Sequence, residues 1–138
     1  MATVGEALTE LGITEWVLRG EPSKESEFKE MFRKVTGADV NGSAIETDDT
    51  SKWGVTWKQI SDKMTAIDAA APMVELRKQR DAKLVETDWT ALSDVTMADN
   101  MKTYRQALRD LPAASGGKDA TLKDDGTLDN VTWPQKPA

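Results

Sequence analysis

Chain breakers cut this sequence into short pieces, and that restricts it to a small mixed fold more than any other feature does. Gly12, Gly20, Gly37, Pro72 and Pro112 each close a segment whose apolar residues follow a helix or strand period. With 138 residues in all, the chain suits one compact domain or two very small ones, so each core is modest.

Val4 to Leu11 reads as a helix stopped by Gly12, and Ile13 to Leu18, with Trp16 and Val17, as a strand ending at Gly20. Ser23 is a good N-cap. Phe28, Met31, Phe32 and Val35 then recur at helical spacing, which predicts one helix up to Gly37. Asn41-Gly42 is a turn dipeptide, and Ser43 to Glu46 is expected to leave it as a strand pairing with the Trp16 strand. The Thr56 and Gln59 pair forms a capping box for a helix with Trp57, Ile60, Met64 and Ile67 on one arc, expected to end near Ala71 because Pro72 follows.

Beyond Pro72, Met73 to Glu86 reads as a helix with a poor apolar face, since Arg77 and Arg80 lie among Met73, Leu76 and Leu84. It suits a solvated connector or a partner contact. Thr87 to Asp94 reads as an irregular link. Thr96 then caps a helix that places Met97, Met101, Tyr104, Leu108 and Leu111 on one face, flanked by Lys102, Arg105 and Arg109. Residues 113–126, rich in Gly, Ala, Ser, Lys and Asp, read as a flexible loop, and Leu128, Val131, Trp133 and Pro134 as an extended tail that docks. The expected fold class is α+β. A domain over 1–71 holds two or more helices and a two-stranded sheet, and a mostly helical region over 72–138 ends in the tail.

Composition removes most chemistry. Histidine and cysteine are both absent. Without them there are no disulfides, Ser-His or Cys-His nucleophiles, or ordinary zinc sites, and no side chain of the kind that most often moves protons near pH 7. The 18 Lys and Arg against 24 Asp and Glu leave a charge of −6, which argues against nucleic acid and anionic membrane as partners. No apolar run approaches bilayer length, and the first residues carry no secretory pattern, so a cytoplasmic protein is expected. Asp48-Asp49 and Asp124-Asp125 are carboxylate pairs set in polar loops, which suits a solvated surface better than a hydrolase site. Asp39 to Ser43 fails as a calcium loop because Gly42 comes fourth rather than sixth, and Gly116-Gly117-Lys118 lacks the spacing of a phosphate-binding loop and reads as a linker. No catalytic, cofactor or metal residue is assigned, and no enzyme is expected.

Protein binding is what remains. Five tryptophans stand beside two phenylalanines and one tyrosine, and tryptophan is a frequent anchor at interfaces. Trp16 and Trp57 read as core. Trp53, Trp89 and Trp133 fall in expected loops or the tail, and with Arg105 and Arg109 they are the candidate partner contacts.

The C-terminal half carries a resemblance. Arg80-Asp81 through Leu84, Glu86-Thr87-Asp88-Trp89-Thr90, Leu92, Asp94-Val95, Tyr104 through Pro112, Asn130 through Pro134 and Lys136-Pro137 stand in the order seen in the bacteriophage tail assembly chaperone family, which residues 77–138 resemble. The loop between Pro112 and Trp133 is longer than the family pattern. Glu15 through Gly20 with the Ser23 helix is similar to small XkdW-type phage proteins of two helices and two strands. The resemblance implies a phage tail context, with partners among tail or tail-fibre proteins, and brings no catalytic residues. Two roles follow from it: an assembly factor in the host cytoplasm, or a permanent virion part such as a baseplate or tail-fibre adaptor. Homo-oligomerisation is left open.

Overall fold

The Thr3 hydroxyl accepts the Glu6 N–H while the Glu6 carboxylate accepts the Thr3 N–H, and this reciprocal cap starts α1, Val4–Glu10. It is the first element of a computed structural model that describes residues 1–138. The chain divides into two compact units, Met1–Ala69 and Ala70–Ala138.

In the first unit, α1 buries Val4, Ala7 and Leu8 and Gly12 turns the chain in the left-handed region. β1 follows as Trp16–Leu18, α2 as Glu25–Met31, β2 as Phe32–Ala38 and β3 as Ala44–Thr47. The sheet is antiparallel in the order β1-β2-β3.

Three expectations for this region are corrected. The helix expected from Ser23 to Gly37 ends at Met31, and Phe32 to Ala38 is instead the central strand. Phe32, Val35 and Thr36 are aromatic or β-branched, and the strand gains hydrogen-bonded neighbours on both sides, which outweighs a helical spacing only two turns long. The N-cap is Lys24, without a side-chain cap; Ser23 instead donates its hydroxyl to Glu27 at 2.6 Å, and this bond holds the Glu27 carboxyl below the usual range. The sheet has three strands rather than two, and β3 pairs with β2, not with the Trp16 strand. The turn between them is tied by Asp39, whose carboxylate accepts the Asn41 and Ser43 N–H groups.

The core of this unit is Val4, Ala7, Leu8, Phe28, Phe32, Trp53, Val55 and Ile60, with Trp16, Trp57 and Met64 packed against it. The Phe28 and Phe32 ring centroids lie 4.8 Å apart, and Trp53 meets both edge-on at 5.5 and 4.9 Å.

The capping box at Thr56 and Gln59 forms and opens α3, Trp57–Thr87, which contains Pro72. The expected break at Ala71 does not occur. Strong helix formers on both sides, Ala69 to Ala71 and Glu75 to Arg80, sustain the helix while Pro72 leaves the Asp68 carbonyl without its amide donor. Replacing Pro72 with Ala is therefore expected to raise stability by about 1–3 kcal/mol, read as an upward shift of the denaturant midpoint.

The second unit continues with a 3-10 turn at Asp88–Ala91, α4 at Asp99–Asp110, a second such turn at Leu111–Ala113, and a hairpin of β4, Thr121–Leu122, with β5, Leu128–Asp129. The N-cap of α4 is Ala98 rather than Thr96. The stretch 113–126, expected as a flexible loop, is built into turns and β4. Gly116 and Gly117 are close-packing residues there, not a linker: a Cβ on Gly117 would collide with the Leu111 carbonyl, and one on Gly116 would lie 2.8 Å from the Thr132 carbonyl oxygen. The Thr132 N–H donates to the Gly116 carbonyl at 2.8 Å, tying the tail down. Gly117→Ala is expected to cost about 1–3 kcal/mol through this overpacking, measured by thermal unfolding.

Candidate functional site

Leu76, Tyr104, Leu108 and Leu111 are buried in the second unit, and so is a charged side chain, Arg105, at 7% exposure. Tyr104, Leu108 and Leu111 fall on one face of α4 and its continuation at i, i+4 and i+7. Arg105 is next to that face, and its guanidinium reaches the end of α3. One terminal nitrogen, Nη1, donates to the Leu84 carbonyl at 2.9 Å and to Thr87 Oγ1 at 2.7 Å, and Nη2 donates to Asp88 Oδ1 at 2.9 Å. The last turn of α3 has no basic residue of its own. Arg105 supplies the cation that its carbonyl end favours, from a position 21 residues further along the chain. The Thr90 hydroxyl adds a bond to the Thr87 carbonyl at 2.7 Å.

The Arg105 clamp thus grips Leu84, Thr87 and Asp88, and Trp89, next along the chain, is 60% exposed. Val85 and Leu92, exposed at 69% and 57%, flank it within eight residues. An apolar surface held on buried hydrogen bonds is a common mark of a protein contact.

The five sequence candidates separate. Trp89 and Arg109 are exposed, with Arg109 donating to Gln106 Oε1 at 3.3 Å. Trp133 is half-buried, with the Lys83 ammonium 5.0 Å above its ring, and Lys136 bonds Glu86 nearby along the tail, holding the Glu86 carboxyl below the usual range. Trp53 and Arg105 correct the expectation that placed them at a surface. Trp53 is 2% exposed and donates its indole N–H to the Thr47 carbonyl at 2.9 Å, while Arg105 is turned inward; as placed, neither offers surface to a partner. Sequence reasoning missed Val85 and Leu92. The signal was an apolar residue off the buried arc of α3 and another in a link with nothing to bury it.

Glu27, Glu46, Asp49, Glu86 and Asp125 are all held below the ordinary carboxylate range by a nearby donor: Ser23, Arg19, Ser51, Lys136 and Thr127 in turn. Carboxylate hydrolysis needs a general acid pushed the other way. No group of three or more acidic residues is placed to hold a metal ion, and no helix is long and apolar enough to cross a membrane.

The fold is that of a two-unit α+β protein whose second unit leaves Val85, Trp89 and Leu92 exposed. Residues 73–138 match the family model described as phage tail assembly chaperone protein, which covers α3 from Met73, the clamp, the exposed Trp89 and the tail. The match confirms the resemblance of the C-terminal half to that family. No curated protein and no solved structure matches the chain.

Proposed function

We propose that this protein acts in phage tail assembly by binding an incomplete tail or tail-fibre protein in the host cytoplasm, covering apolar surface that would otherwise aggregate, and leaving when assembly is complete. The observation that carries this reading is Trp89, exposed directly after the Asp88 that Arg105 holds, within the residues that match the chaperone family. Arg109, exposed on α4, is a further contact, and Trp133 holds the tail in place.

A quantitative mass-spectrometric inventory of purified mature particles tests the role. Absence from particles, with abundance in the infected cell, is expected. A fixed symmetric copy number in the particle makes the chain a virion component, such as a baseplate or fibre adaptor, and overturns the assembly role. Trp89→Ala should weaken capture of the tail protein at least ten-fold with little change in melting temperature, whereas Trp133→Ala should lower stability and leave capture intact.

A further inference from the structure

The surface around Trp89 also has a charge. Between Val85 and Ala98 the charged residues are Glu86, Asp88 and Asp94, all acidic, and the stretch includes the carbonyl end of the 31-residue α3. The bases that answer them come from elsewhere: Lys136 pairs with Glu86, and Arg105 with Asp88 from below, where it is 8% exposed and presents no charge outward. Asp88 and Glu86 remain more than half exposed, and Asp94 has no ion pair. Val85, Trp89 and Leu92 are thus exposed apolar residues in a stretch whose own charges are all acidic, with the half-exposed Lys136 answering Glu86 alone.

We infer that the occupant of this surface is a segment of another protein in which apolar residues are flanked by Lys or Arg, an inference that rests on the binding role proposed above. The apolar residues cover Val85, Trp89 and Leu92. The flanking cations meet Asp94 and the free carboxylate oxygens of Asp88 and Glu86, and one can lie over the exposed Trp89 ring. A second copy of this chain is the wrong partner, because a two-fold contact brings the same three acids against themselves. An anionic lipid surface is repelled for the same reason.

The test places a photo-crosslinking amino acid at Leu92 in the full chain during infection, with exposed Thr121 on β4 as the comparison position, and sequences the peptide joined to it. The expected product is a tail-protein segment rich in apolar residues with a Lys and Arg excess. In the purified complex, Asp94→Lys should weaken binding about three- to ten-fold, while Asp129→Lys on β5 should not. A neutral or acidic joined segment, a join to a second copy, or an unchanged affinity for Asp94→Lys overturns the inference. If Thr121 but not Leu92 joins a tail protein, the inference falls while the assembly role stands; if neither position does, both fall.

Discussion

Arg105→Ala is expected to destabilise the second unit by about 2–4 kcal/mol, a large fraction of the stability of a unit this small. The substitution removes three donated hydrogen bonds at once and leaves the Leu84 carbonyl and Thr87 hydroxyl in a buried place without their charged partner. It also withdraws the cation from the end of α3. The figure stays below that for a fully buried ion pair because Asp88 is 57% exposed and rehydrates when released. The clamp is imperfect even when intact, since Arg105 Nε is buried with no partner. Arg105→Lys keeps the charge but not the fork, and should recover about half of the loss. Denaturant midpoints give the size, and amide exchange at Trp89 and Leu92 should quicken in step. A loss under about 1 kcal/mol would mean that packing alone holds the α3 end.

Phe32→Ala should cost the first unit about 3–5 kcal/mol. Its ring is fully buried, with centroids 4.8 Å from Phe28, 4.9 Å from Trp53 and 6.5 Å from Trp16. Phe32 also begins the central strand opposite Leu18, so the cavity opens where the sheet meets α2 and cannot close without moving either. Phe32→Leu keeps most of the volume and should cost less than half as much. Chemical denaturation followed by tryptophan fluorescence measures both, because Trp53 and Trp16 border the hole. A small, equal effect for the two variants would show that the site collapses around the lost volume and that neither the ring contacts nor the cavity carries the stability.

These variants probe what was and was not legible along the chain. Signals satisfied within a few residues were readable: the turn at Gly12, the Asn41-Gly42 turn and the Thr56 and Gln59 box all form. The arc of Tyr104, Leu108 and Leu111 is buried as its spacing predicts, and the ordered residue blocks of the C-terminal half pointed to the family that residues 73–138 match. The acidity belongs mainly to the first half, with thirteen Asp and Glu against eight Lys and Arg up to Ala69.

Other features depended on partners far along the chain. Phe28, Met31, Phe32 and Val35 fit a helix by spacing, and only β1 and β3, arriving on either side, turn the second two into strand residues. Pro72 marks a break locally, yet its missing bond is one small loss in a helix supported along its length. Gly116 and Gly117 look like linker residues until Leu111 and Thr132 lie against them. Arg105 reads as a surface contact because nothing near it in sequence reveals the Leu84 carbonyl, 21 positions earlier, that draws it inward. The sequence by itself determined the capped start of α3, the turns and the family resemblance of the second half. The tertiary structure decided which residues became strand, which glycines became contacts and which charge was buried, because burial and strand pairing are set by groups distant in sequence that meet only when the chain folds.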